Sequence, residues 1–202
     1  MSRPSLRMSR WLKWATIPLA LGVSAIVVSQ SSYAAFSATT TNPTSNWTSG
    51  SVVLTDDDAN TALFTATNLK PGSTGTKCIA VTSTGSLPSV VKLYGTTPTT
   101  TNAFSAQINL AVAQGTGGTS ADCTGFTPLA TGSSVFSGTL AAFGTASTNY
   151  ATGAPATNAW APTGTASETR VYQFTYTVNP GATNAVQSST ASIGFTWEAQ
   201  NT

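Results

Sequence analysis

The chain has 202 residues, of which eight are basic, six are acidic and none is histidine. The absence of histidine excludes a Ser-His-Asp triad, a Cys-His pair and any zinc site with histidine ligands. So few basic residues also exclude the clustered cationic surface that binding to nucleic acid requires. The length is sufficient for one domain with a hydrophobic core.

The first 34 residues have the features of a secretory signal peptide. Four basic residues lie between Arg3 and Lys13, an apolar run follows at Ala15–Val28, and Ser32 and Ala34 are small residues at positions −3 and −1. We therefore predict cleavage between Ala34 and Ala35 by a signal peptidase, and a secreted product with no membrane segment. The alternative is a retained membrane anchor, for which the apolar run is short, because a span needs roughly 20 residues.

Removal of the leader changes the charge balance. The remaining chain keeps four basic and six acidic residues, so its net charge is −2. A polar but weakly charged surface gives little electrostatic repulsion between copies, which favours self-association. A monomeric secreted protein of the same composition is the alternative.

The segment Ala35–Asn46 is extended, polar and rich in threonine, and Asn42-Pro43 ends any regular structure. One interpretation is a frayed terminus. The other is a donor strand that adds to an exposed sheet edge of another copy. The candidate self-assembly residues are Ala35, Phe36, Ser37, Ala38, Thr39, Thr40 and Thr41.

Two strands are predicted next, at Trp47–Leu54 and Thr61–Thr67. The three acids Asp56–Asp58 between them indicate a solvated turn, because adjacent carboxylates repel one another. A calcium site is a second interpretation, but the alternating ligand spacing of a calcium loop is missing. We expect no metal and no cofactor.

A central stretch, Asn68–Gly95, begins with a turn at Asn68–Gly72. Lys77–Ser83 and Ser89–Tyr94 then have strand character, and Gly85–Pro88 separates them. We predict that the two strands pair as a hairpin in the middle of an antiparallel sheet.

Three features follow this stretch. Phe104–Gln114 alternates apolar and polar residues and predicts a half-buried strand, and Ser137–Phe143 predicts one helical turn. Thr145–Ser167 is the longest predicted loop, with Trp160 as its docking point.

The last two strands, Arg170–Val178 and Thr190–Glu198, show the clearest alternation. Their apolar faces are expected to meet as one wall of the core, although an aromatic stripe of this kind can also form a sugar-binding platform. With eight or nine strands and no long helical pattern after the leader, we predict an all-β antiparallel sandwich, a jelly roll, in a single domain over residues 47–202.

The only two cysteines, Cys78 and Cys123, lie after the leader. In an exported chain an isolated pair indicates a disulfide, and two free thiols are the alternative. The bond would tie the central hairpin to the glycine-rich loop before Phe126.

Several short motifs occur in the order found in a known family. They are NLKPG at Asn68–Gly72, TGSL at Thr84–Leu87, the start AFSATTTNPTSNWTSGSVVL at Ala35–Leu54 and the ending SIGFTWEA at Ser192–Ala199. Together they resemble the TasA/camelysin family of secreted bacterial biofilm-matrix proteins, whose leader is removed by a dedicated signal peptidase.

The resemblance implies a β-sandwich whose N-terminal segment joins subunits head to tail into extracellular fibres. Proteins related to camelysin have been described as metallopeptidases, but this sequence has no HExxH motif. We therefore expect a structural protein and not an enzyme. A monomeric binding module that uses the Thr145–Ser167 loop and Trp160 is the alternative.

Overall fold

The computed structural model describes residues 48–202, and these form an antiparallel β-sandwich. The larger sheet has the order β1-β2-β7-β4, and β4 also pairs with β5 and β6; the smaller sheet consists of β3 and β8. The strands are β1 Leu54–Asp56, β2 Thr74–Ser83, β3 Ser89–Thr100, β4 Ile108–Thr116, β5 Thr127–Pro128, β6 Ser134–Thr139, β7 Glu168–Val178 and β8 Ala191–Asn201. One helix, α1 Leu140–Ala146, and two short 3-10 helices, Phe104–Gln107 and Asn184–Val186, complete the elements.

The core lies between the two sheets, where alternate residues of facing strands meet. Phe174 of β7 and Phe195 of β8 have ring centroids 4.7 Å apart, and Tyr172 and Trp197 have centroids 5.4 Å apart. The buried core residues from the other strands include Ile79, Val81, Val91, Leu93, Leu110, Val112 and Phe143. The all-β sandwich and the inward faces of β4 and β7 are as predicted.

The predicted hairpin between Lys77–Ser83 and Ser89–Tyr94 is wrong. Both strands exist, but β2 pairs with β1 and β7, whereas β3 pairs with β8 in the other sheet. Gly85–Pro88 carries the chain from one sheet to the other, and Ser51–Val53 lies against this connection through the bonds Ser86 N–H to Ser51 O (2.8 Å) and Thr84 N–H to Val53 O (3.1 Å). The alternation of apolar and polar residues predicts where a strand lies, but it does not predict which strand pairs with it.

The last two strands also face each other differently from the prediction. Their apolar faces belong to opposite sheets, so they form two walls of the core and not one. Because the connection of residues 179–190 crosses the sandwich, β7 and β8 contact through side chains and not through a hydrogen-bonded ladder.

Three predicted boundaries need correction as well. Thr61–Thr67 forms no strand, since the consecutive residues Leu63 and Phe64 both pack towards the core, which a strand does not allow. Phe104–Gln107 is a 3-10 helix, so that strand begins at Ile108. In the first predicted strand the ladder begins only at Leu54, and Trp47 lies outside the described residues.

Candidate assembly site

The smaller sheet has one covered edge and one edge that the described chain leaves open. On the covered side the loop after α1 bonds to β3, where Val91 N–H donates to Trp160 O (2.8 Å) and Leu93 N–H donates to Ala154 O (2.8 Å). On the opposite side, β8 has no strand partner other than β3 among the described residues. The outer edge of β8 is therefore a candidate site for an added strand.

The direction of the main-chain groups of β8 follows from its pairing with β3. Odd-numbered residues of β3 donate towards the covering loop, so the even-numbered ones bond to their partners in β8, such as Lys92 to Glu198 and Tyr94 to Thr196. Because the two directions alternate along a strand, Ile193, Phe195 and Trp197 turn their N–H and C=O groups to the open edge. Their side chains face the core.

A large groove, lined by both polar and apolar side chains, follows this open edge. It has a volume of about 1160 Å³ and extends from Trp197 to the beginning of β8 and on to the connection of residues 182–190. Its apolar lining includes Leu63, Phe64, Leu69, Phe104, Ile108, Leu110, Leu140, Tyr176, Val178, Val186, Ile193, Phe195 and Trp197. The side chains of Ile193, Phe195 and Trp197 are consequently only half-buried, although they belong to the core face of β8.

A second, smaller cavity lies between β1 and β8, each of which has a single strand partner within residues 48–202. It has a volume of about 240 Å³ and is lined by Leu54, Thr55 and Asp56 of β1, Val81 of β2, and Phe195, Thr196 and Trp197 of β8. Beside it, the indole N–H of Trp197 is buried and has no hydrogen-bond partner in the described part of the chain. The described residues therefore leave a space unfilled where β1 and β8 approach each other.

The wall of the groove opposite β8 is formed by the irregular segment of residues 57–71. Phe64 fixes its middle, because the rings of Phe64 and Tyr176 meet edge to face with centroids 5.1 Å apart. Its far end is the predicted turn, in which Gly72 has a positive φ of 81° and its N–H donates to Val178 O (3.0 Å). A residue with a side chain would be strained at Gly72.

Asp57 anchors the beginning of this wall. Its carboxylate accepts hydrogen bonds from Ala80 N–H (2.8 Å) and Ser120 N–H (2.7 Å), and its own carbonyl accepts from the Ser120 hydroxyl (2.7 Å). The Asp56–Asp58 stretch is therefore a structural junction between β2 and the glycine-rich loop, not only a solvated turn. Sequence reasoning missed this role, because nothing local indicates a partner 63 positions away.

The neighbouring acids contribute differently. Burial, and after it the nearby Asp58 carboxylate, raises the pKa of Asp56 above its ordinary value. Both acids line the rim of the groove, where Lys70 also lies. Within residues 48–202 no group of three or more potential ligands from cysteine and the acidic residues is arranged to hold a metal ion.

The predicted disulfide between Cys78 and Cys123 is confirmed, with a Cα–Cα distance of 5.3 Å. Cys78 is fully buried on the outer face of β2, next to Ile79 and Ala80. The bond holds the loop of residues 117–126 on this face, and Ser120 of that loop reaches Asp57. The disulfide and Asp57 thus support this wall of the groove from the outer face of the larger sheet.

Trp160 is the docking point of its loop, as predicted, because it is only 4 % exposed and the Arg170 guanidinium lies 5.9 Å from its ring centroid. This burial removes the indole from the surface. The binding-module hypothesis therefore loses the aromatic contact on which it depended.

The beginning of the described chain lies at one end of the sandwich. Ser51 N–H donates to the Ser86 hydroxyl (2.9 Å), and Thr202 N–H donates to Pro88 O (3.3 Å), so the first described residues lie where β2 and β8 end and β3 begins. The connection of residues 182–190, which contributes to the lining of the groove, lies where β7 ends and β8 begins.

Several predicted functional residues lie outside the described residues. They are the leader of residues 1–34, the cleavage position at Ala34 and Ala35, and the arm of residues 35–46. Within the described chain, no helix is both long and apolar enough to cross a membrane. Neither the protein-family models nor the curated proteins that were searched contain a match to the chain.

Proposed function

We propose that this protein is a secreted structural subunit, and that its N-terminal arm, Ala35–Asn46, adds as a strand to the open edge of β8 in the next copy. The observation that carries the proposal is the groove beside β8, where, among the described residues, main-chain groups and half-buried side chains of one strand are both available. An added strand would form hydrogen bonds with these main-chain groups and would cover these side chains.

The arm has the chemical character that this groove requires. It contains no charged side chain, so none would be desolvated inside the sandwich. It is rich in threonine, which favours the extended conformation. Phe36 is its one large apolar residue, and alternation would place Phe36, Ala38 and Thr40 on one face. Main-chain bonds would then supply affinity, and Phe36 the anchor.

The proposed contact favours a polymer. Because it joins the arm of one copy to the groove of another, each copy can donate its arm to one neighbour and accept the arm of a second. Such a contact is heterologous and does not close on itself. The weak net charge of the chain after its leader reduces the repulsion that would oppose stacking of copies.

The resemblance to the TasA/camelysin family supports the same role. It suggests export, removal of the leader by a signal peptidase after Ala34, and a place in an extracellular matrix or on the cell surface. The other candidate is a monomeric secreted module that takes an extended segment of a different protein into the same groove. The two differ in whether this chain's own arm is the ligand.

A binding experiment with the arm separates these candidates. A fluorescent peptide of residues Ala35–Asn46 would be titrated with protein that begins at Trp47, and binding would be followed by anisotropy. We expect saturable binding, a much weaker signal for the peptide with Phe36→Ser, and loss of binding in the Phe195→Lys protein. Absence of binding to a folded protein would remove the arm as the ligand.

A further inference from the structure

The outer face of the smaller sheet carries polar and aromatic side chains that do not line the groove. The odd-numbered residues of β3 and β8, such as Leu93 and Trp197, pack into the core, so the even-numbered residues occupy the opposite face. On that face Lys92 of β3 lies directly opposite Glu198 of β8, and Tyr94 is the next outward residue of β3. Each of these three residues is partly exposed.

Glu198 joins several of these side chains. One oxygen of its carboxylate accepts a hydrogen bond from the Tyr94 hydroxyl (2.9 Å), and the other accepts from the side-chain amide of Gln200 (2.8 Å). The bond to Glu198, and after it burial, raises the pKa of Tyr94, so the phenol keeps its proton. Because a carboxylate offers about four acceptor positions, Glu198 is held in place and can still accept from the hydroxyl groups of a ligand.

The turn after α1 places a second tyrosine beside these residues. The Tyr150 hydroxyl donates to Val90 O (3.1 Å), and the Lys92 ammonium lies 5.3 Å from the centroid of the Tyr150 ring. Gly153 allows this close approach, because a Cβ there would lie only 2.9 Å from the Cβ of Lys92. Burial, and after it the charge of Glu198, raises the pKa of Tyr150, which nevertheless stays partly exposed.

We propose that the outer-face cluster, which consists of Lys92, Tyr94, Tyr150, Glu198 and Gln200, binds a neutral polysaccharide. This site goes beyond the proposed assembly and does not depend on it. A pyranose unit has a C–H surface on each side of its ring and hydroxyl groups around its rim. The two tyrosine rings can pack against the C–H surface. The ammonium, carboxylate and amide groups can exchange hydrogen bonds with the hydroxyl groups.

The charge and polarity of the outer-face cluster favour this ligand over other partners. The positive charge of Lys92 and the negative charge of Glu198 cancel, so the cluster offers no net charge to an anionic chain such as a nucleic acid. The centre of a protein–protein interface is depleted of charged residues, whereas here two of them lie side by side. A sugar chain uses such groups as hydrogen-bond partners and does not have to neutralise them.

Saturation-transfer difference NMR tests this site, because it detects weak binding to single copies and to assemblies alike. The secreted protein would be titrated with cellohexaose, maltohexaose and mannohexaose, and with an oligogalacturonate as the anionic comparison. We expect saturation transfer to at least one neutral chain and none to the oligogalacturonate. Tyr150→Ala should bind that chain about tenfold more weakly, because one packing surface is lost. Tyr150→Phe keeps the ring and should bind it as the wild type does.

The matched control is Thr76→Ala on the outer face of the larger sheet, where the hydroxyl of Thr76 meets that of Thr175 at 3.2 Å. It should leave sugar binding unchanged, and unfolding midpoints in urea would show that each variant is folded. Absence of transfer to every neutral chain would overturn the site, and so would binding that Tyr150→Ala and Glu198→Gln leave unchanged. Binding of the oligogalacturonate as tight as that of a neutral chain would overturn the class of ligand.

The same samples separate this site from the proposed assembly, because filaments would be scored in each of them by electron microscopy. Sugar binding by a protein that forms no filaments would support the site while the proposed function fails. Loss of filaments in Tyr150→Ala with unchanged sugar binding would make this face a contact between copies and would overturn the site.

Discussion

The carboxylate of Asp57 accepts a 2.7 Å hydrogen bond from the main-chain N–H of Ser120. This bond joins the beginning of the groove wall to the loop that the Cys78–Cys123 disulfide holds on β2. The wall therefore depends on residues that lie on the far side of the larger sheet.

Asp57→Asn should weaken this junction. The amide keeps one acceptor oxygen but presents an N–H₂ group to the N–H of Ser120 or Ala80, so one charge-assisted bond is lost at a cost of about 1–3 kcal/mol. The unfolding midpoint in urea would measure it. The matched control is Asp122→Asn, whose carboxylate is bonded to Thr124 within its own turn, with the Thr124 N–H at 2.8 Å. An equal loss in both variants would contradict the structural role of Asp57.

Removal of the disulfide should have a larger effect. Replacing Cys78 and Cys123 by alanine releases a loop with a sequence separation of 45 residues, and the chain-entropy account gives a loss on the order of 4 kcal/mol. We expect a lower urea midpoint for the double variant and weaker binding of the arm peptide, because the groove wall loses its support. A variant that loses stability but binds the peptide unchanged would separate the disulfide from the site.

Glu168 should make stability depend on pH in the acid range. Hydrogen bonds from the hydroxyl and the N–H of Thr163, both 2.6 Å, and the nearby Arg170 charge lower the pKa of Glu168 from its ordinary value of 4.5. The folded state therefore favours the ionised form. This contribution is complete at pH values above the ordinary pKa and is lost as the pH falls through the lowered pKa of the folded state.

The variant Glu168→Gln should lose that part of the pH dependence. Unfolding midpoints between pH 2 and 7 would be compared for the two proteins, and the difference between them should shrink towards low pH. A constant difference across the range would show that Glu168 titrates alike in the folded and unfolded chains.

Secretion of the full chain should yield a protein whose first residue is Ala35. The small residues Ser32 and Ala34 before the cut predict this position. N-terminal sequencing of the exported protein would check it, and a start at or beyond Pro43 would remove the arm on which assembly depends.

Much of the strand content could be predicted from the sequence, because alternation is a local property. Tyr172, Phe174 and Val178 are buried as the period of two requires, and so are Leu110 and Val112. Pairing is not local. β2 and β3 are joined by a short turn and yet lie in different sheets, since both edges of β2 are occupied by β1 and β7.

The candidate site was only partly predictable for the same reason. The arm was proposed from its composition and from the family resemblance, and it stays a prediction, whereas the disulfide was predicted from the number of cysteines and is confirmed. The groove was not foreseen, since Ile193, Phe195 and Trp197 carry the pattern of ordinary core residues. Only the arrangement of strands shows that residues 48–202 leave the core beside β8 uncovered.

The most direct test of the account is negative-stain electron microscopy of the secreted protein that begins at Ala35, after prolonged incubation, beside a version that begins at Trp47. The account predicts filaments from the first and single particles from the second, and it predicts that excess arm peptide keeps the first dispersed. Single particles in both samples, or filaments in both, would contradict assembly through the arm.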